Sequence, residues 1–164
     1  MIEEDVAETS RAWLLDFGSG LQAAVGHHEM LQVLISPTLF DIPCVSPYCN
    51  EVLIHEERIL PVLDVSSMLL EKQQVTSPPT GYVIGISLYQ DDPTHPIHYG
   101  GLHLATTPQS IYVSDNQACD ILAHQEYWKP LALSCFSHEG VAIPVIDMAY
   151  LFSEAFNTFI QSSH

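Results

Sequence analysis

The chain is rich in side chains that could ligate a metal or move a proton. The stretch THPIHYGGLHL carries His95, His98 and His103, and His27 with His28 forms a tandem pair, so imidazole donors for a zinc or nickel ion are plentiful. Spacing favours solvated loop histidines over a metal centre. Successive side chains of a strand alternate faces, so His98 and His103 would point to opposite sides of a regular strand. A hydrolase site fares no better, because Gly18-Ser19-Gly20 reads as a hairpin turn, and neither a G-x-S-x-G elbow nor a glycine-rich phosphate loop is present. Serines, histidines and aspartates abound, yet no spacing gathers a nucleophile, a base and an orienting group. Cys44, Cys49, Cys119 and Cys135 match no zinc or redox motif, so reduced and mostly buried thiols are expected. A small metal-binding protein or hydrolase stays as a remote alternative, and no catalytic residue, metal or cofactor is assigned.

Charge narrows the partners. Of 164 residues, 47% are hydrophobic and only 15% charged, and twenty acidic side chains against four basic ones give a formal net charge of −16. Such a surface repels phosphate backbones and anionic membranes, which argues against nucleic acid and lipid surfaces as partners. Low charge with high apolar content suits either a well-filled core or apolar surface left for a protein partner. The acidic N-terminal arm, residues 1–10, lacks the basic-then-apolar order of a secretory signal, and no apolar run reaches membrane-spanning length, so a cytoplasmic protein without direct membrane insertion is expected.

The elements that would position any site are mainly strands. AWLLDF and LQAAVG flank the GSG turn, with Trp13, Leu15 and Phe17 alternating onto one face. EVLIH with RILPVL makes a second hairpin around Glu56 and Glu57, and GYVIGISLY with IHYGGLHLA makes a third around QDDPTHP. SIYVSD and LALSCF add strands, and the Pro-rich stretch 71–81 reads as a connector between two halves.

One phrase occurs twice. EERILPVLDV, Glu56 to Val65, returns as GVAIPVIDM, Gly140 to Met148, with Pro61, Val62 and Asp64 matched at one constant offset by Pro144, Val145 and Asp147. Proline cannot donate to a ladder, so each copy predicts an edge strand, a strand start or a bulge. Asp64 and Asp147 then stand where a carboxylate caps a helix, followed by Val65, Met68 and Leu69 in one copy. In the other, Met148, Leu151, Phe152, Phe156, Phe159 and Ile160 predict one continuous helical stripe, expected to close its own lobe. The phrase thus predicts two related β lobes, each closed by the same device.

The order of these features resembles the CheW-like domain family of bacterial chemosensory systems. WLLDFGSGLQAAVG resembles the family's opening strand pair, HHEMLQVL its short helix, IPCVSP its proline segment, and the two PV-x-D hairpins its closing elements, a match spanning about Trp13 to Phe152. The resemblance implies a mainly β fold of two interlocked five-stranded SH3-like barrel lobes sharing a hydrophobic interior. It implies one such domain over residues 11–153, with 154–164 as a C-terminal helix extension. It also implies a non-enzymatic adaptor without cofactor, which binds the regulatory domain of a CheA-type histidine kinase and the cytoplasmic tip of chemoreceptors in chemotaxis or type IV pilus systems. Partner contacts are implied at Met30, Leu31, Glu51, Val52, Glu56 and Glu57.

One hairpin departs from the family. Where relatives carry glycine, arginine and glycine, this chain places Glu51, Glu56 and Glu57. Glu56 reverses the charge of an arginine whose surroundings contribute to receptor and kinase contacts, so a diverged, receptor-blind interaction module is the alternative to conventional coupling. Two glutamates suit a tight primed turn poorly, which predicts a longer or bulged tip with carboxylates in solvent.

Overall fold

The structure, a computed structural model, describes residues 9–42, 51–70 and 82–162. Strand β1 (Thr9–Gly18) buries Leu15 and Phe17 and pairs antiparallel with β2 (Leu21–Gly26). Their turn holds Gly18, Ser19 and Gly20 at φ of 88°, 57° and 81°, angles that glycine adopts without strain. The outer edge of β1 takes β9 (Gln109–Ser114). The outer edge of β2 takes β11 (Val141–Ile146), which pairs with β10 (Ala132–His138), completing a five-stranded sheet.

The middle of the chain builds the second sheet from β3 (Met30–Ile35), β4 (Phe40–Asp41), β5 (Glu51–His55), β6 (Arg58–Leu63), β7 (Val83–Tyr89) and β8 (His98–Leu104), in the order β3-β7-β8-β6-β5-β4. It is a five-stranded set with the two-residue β4 at its rim. Because the first sheet takes strands from both ends of the chain, the two curled sheets interlock, giving a mainly β fold of two lobes. The lobe boundaries fall between β2 and β3 and between β8 and β9. The Pro-rich stretch 71–81 lies outside the described residues, and the strands before and after it, β6 and β7, belong to the same sheet, so it does not divide the lobes.

Three apolar clusters hold this arrangement. Ala12, Ala24, Ile111, Phe136 and Ile143 fill the first lobe, and Leu53, Leu60, Val62, Ile84 and Ile86 fill the second. A larger cluster takes side chains from both, including Leu15, Leu21, Val25, Leu63, Leu102, Leu104, Trp128 and Ile146, and is the interior they share.

Two local expectations are corrected. HHEMLQVL forms no short helix beyond a 3-10 turn at His27–Glu29, because Met30–Ile35 is drawn out as β3 by a ladder with β7 that pairs Val33 with Gly85 and Ile35 with Val83. The C-terminal stripe is two helices, α2 (Met148–Leu151) and α3 (Glu154–Ser162), not one. The Ser153 hydroxyl breaks it, donating back to the Tyr150 carbonyl at 2.6 Å and accepting from the Phe156 amide at 3.1 Å. Phe156 and Ile160 pack into the shared interior, so this segment closes its own fold, while Phe159 stays partly exposed. Thr9 and Ser10 of the N-terminal arm are paired residues of β1; residues 1–8 lie outside the described set.

Candidate functional site

The repeated phrase builds two hairpins of one design, and it extends further back than the motif alone suggests. His55-Glu56 and His138-Glu139 occupy equivalent places, so each hairpin enters its turn with the same dipeptide. In β5–β6 the pair His55↔Arg58 closes a two-residue turn with Glu56 at φ 50° and Glu57 at φ 67°. In β10–β11, His138↔Val141 closes a turn with Glu139 at φ 50° and Gly140 at φ 79°. Both are tight turns with two consecutive left-handed residues, the primed geometry that matches strand twist. The expected longer or bulged acidic tip is therefore corrected: strand pairing holds two glutamates in a conformation that disfavours side chains.

The prolines also sit alike. Pro61 lies opposite Val52 and Pro144 opposite Cys135, three pairs beyond each turn, where an antiparallel ladder makes no direct hydrogen bond. Each strand is interior to its sheet rather than at an edge. Its second ladder is parallel and begins one residue later, at Val62 with β8 and at Val145 with β2, so the missing amide interrupts neither ladder.

Each strand then ends in a capped helix. Asp64 Oδ1 accepts from the Ser67 amide at 3.2 Å and Oδ2 from the Ser67 hydroxyl at 2.7 Å, at the start of α1 (Val65–Leu70). Asp147 Oδ1 accepts from the Tyr150 amide at 3.1 Å, at the start of α2. From each unit three equivalent side chains enter the shared interior: Leu63, Val65 and Met68 from one, Ile146, Met148 and Leu151 from the other.

The hairpins differ in what lies on their outer faces. In β10–β11 that face carries Cys135, Ala142 and Pro144, all buried, and Ser137. The segment from Asp115 to Trp128 runs along the edge of β10, where Ala118 bridges to Phe136 and Gln117 donates to the Ser137 carbonyl, and reaches as far as β11, where Gln125 donates to the Ala142 carbonyl. In β5–β6 the equivalent positions are Val52, Ile54, Ile59 and Pro61, and among the described residues β4 alone flanks them. Ile54 is 61% exposed, its cross-strand partner Ile59 70%, and Phe40, opposite Val52, 48%. Phe40, Val52, Ile54 and Ile59 thus form an apolar strip at the rim of a sheet that the described residues leave uncovered, the kind of surface that marks a protein-binding site.

The residues singled out from the sequence do not all meet there. Val52 lies within the strip, and Glu56 and Glu57 are exposed at its tip. Glu51 is not in the turn but at the opposite end of β5, where its carboxylate meets His103 Nε2 at 2.9 Å in a largely buried pair. Leu31 is exposed on β3, whereas Met30 is buried with its sulfur close over Gly85. Phe40, Ile54 and Ile59 were missed, although a signal existed. VLI and ILPVL are apolar on both strand faces, whereas a hairpin with one wetted face alternates.

The histidines are not brought together. His27 stacks on Trp13, His98 on Tyr89, His95 Nδ1 meets Asp91 at 2.9 Å, and His103 holds Glu51. Among the described residues no three His, Cys, Asp or Glu side chains converge as a metal site requires. A cleft of about 430 Å³ runs between the lobes past His28, Glu29, Tyr89, Ile97, Leu133 and Asp147. Burial raises the Glu29 carboxyl above its ordinary value and Asp147 adds to this, against the pull of His28. Cys44 and Cys49 lie outside the described residues.

Compared by sequence, the chain matches no family profile and no curated protein. Compared by structure, it is similar to the crystal structure of the scaffolding protein TtCheW from Thermoanaerobacter tengcongensis, with a TM-score of 0.70 over 93% of this chain and 94% of that one. The chain has a CheW-like fold. Identity over the match is 11%, so the likeness is one of fold. No helix among the described residues is long and apolar enough to cross a membrane.

Proposed function

We propose that this chain is a non-enzymatic, cytoplasmic adaptor that couples chemoreceptors to a CheA-type histidine kinase in a chemotaxis or type IV pilus system. It docks on the kinase's regulatory domain through the strip Phe40, Val52, Ile54 and Ile59. The observation that carries this is the outer face of β5–β6, left uncovered by the described residues, in a CheW-like fold whose other hairpin has the same face buried. The similar solved structure is that of a scaffolding protein, and a scaffold needs a docking surface rather than a catalytic cluster. The net charge of −16 argues against nucleic acid and anionic membrane as partners.

One feature favours a second reading, a receptor-blind interaction module. Glu56 and Glu57 set two exposed carboxylates at the end of the strip, while the guanidinium of Arg58 lies 4.7 Å over the Tyr99 ring. A partner docking at the tip is then basic, and its association slows as salt rises, because exposed charges steer encounter and are screened beyond about 8–10 Å. Titrating wild type and Glu56→Arg against one kinase regulatory domain and one receptor tip separates the two. Receptor-tip binding by wild type supports coupling; binding gained only by Glu56→Arg supports the receptor-blind module. If neither protein binds the kinase domain at low or high salt, both fail.

A further inference from the structure

Two thiols face each other on the covered hairpin. The bridge Ala118↔Phe136 puts Cys119 directly opposite Cys135, and the Cys119 amide donates to the Cys135 carbonyl at 3.0 Å. This is the hydrogen-bonded kind of antiparallel pair, whose Cα atoms stand about 5.5 Å apart, within the range a disulfide spans. Both cysteines are free, and their sulfurs lie 3.4 Å apart. The two thiols are unequal. Cys135 is buried, and burial, with the Cys119 thiol beside it, pushes its thiol up to about 12. Cys119 is partly exposed, on an open cleft of about 410 Å³ bounded by Asp120, Lys129 and Leu133.

From this geometry we infer that Cys119 and Cys135 are an oxidation site, at which a hydroperoxide converts the facing thiols into an intramolecular disulfide. Cys119, the accessible sulfur, reacts as thiolate with one peroxide oxygen, forming its sulfenic acid as the O–O bond breaks and the alcohol or water departs. Cys135 Sγ then attacks Cys119 Sγ. The S–O bond breaks, and the hydroxyl leaves as water, taking the proton that Cys135 gives up. In total two thiols and one hydroperoxide give one disulfide, one alcohol or water, and one water. The bond ties the covering segment to β10 and closes a loop that contains Trp128 and Leu131, both in the shared interior.

The test uses the full chain with Cys44→Ser and Cys49→Ser, treated with hydrogen peroxide. The expected result is a monomer that has lost the mass of two hydrogen atoms and both alkylatable thiols together. Dithiothreitol should restore both, and the melting temperature of the oxidised form should rise by about 5 °C or more, as a closed loop of this size implies. Adding Cys135→Ser should let a dimedone-type probe capture the Cys119 sulfenic acid, whereas adding Cys119→Ser should leave Cys135 unoxidised. Progress of Cys119 to sulfinic acid with Cys135 still a thiol, or disulfides only between molecules, would overturn the proposal.

Discussion

The β5–β6 and β10–β11 hairpins enter their turns on the same dipeptide, place a proline at the same rung, and end in an aspartate that caps a helix over the shared interior. They part company on the outer face. Around β10–β11 the chain spends Asp115 to Trp128 on covering it, and the positions there are filled by Cys135, Ala142 and Ser137. Around β5–β6 a two-residue strand is the only flank among the described residues, and the same positions hold Val52, Ile59 and Ile54. An interior specified twice fixes the architecture; bare apolar residues at one of two equivalent faces are surplus to folding, which makes them the candidate for binding.

The largest effects should come from the lids. Phe156→Ala removes a fully buried ring from the last helix and should cost about 3–5 kcal/mol, and Met68→Ala, in the helix that closes the first unit, about 2–5 kcal/mol. Denaturant unfolding followed by two probes checks this. If one lobe melts apart from the other, the shared interior does not couple them.

Caps come next. Asp64→Ala and Asp147→Ala should each lower stability by about 0.5–2 kcal/mol. Asp64 should cost more, because its loss strips the buried Ser67 hydroxyl of its acceptor as well as the amide. Equal midpoints for both variants and wild type would remove capping from the account of the repeat.

Turn exchange should have the smallest effect and of opposite sign in the two hairpins. Glu57→Gly relieves a left-handed side chain and should raise stability by about 0.5–1 kcal/mol, once glycine's greater freedom in the unfolded chain is set against the relief. Gly140→Glu should lower it by a similar amount. Thermal melts of the pair decide; same-sign shifts would mean that the turns are not equivalent.

Much of the fold was legible because hairpin periodicity and a repeated PV-x-D phrase are local signals. Trp13, Leu15 and Phe17 announce one face of β1, and Asp64 and Asp147 announce helix starts. What the sequence hid depends on pairing partners distant in the chain. Met30–Ile35 is a strand only because β7 comes to it, and Glu51 is held at His103, two strands across the sheet. The Glu56–Glu57 turn was misjudged because residue preference was weighed without strand register, which overrides it. The docking strip was harder still, since whether Ile54 and Ile59 are bare depends on what the rest of the chain leaves uncovered.

Ile54 and Ser137 stand at the same rung of their hairpins, and both are exposed. The measurement that tests the central claim most directly is the affinity of a CheA-type regulatory domain for Ile54→Asp and for Ser137→Asp, alongside wild type and with melting temperatures recorded. Ile54→Asp should weaken binding at least about tenfold, as expected for a charge placed in the centre of an apolar contact, while Ser137→Asp leaves it unchanged and both variants stay folded. Equal affinities for all three proteins, or a loss confined to Ser137→Asp, would contradict the assignment of the uncovered hairpin as the docking face.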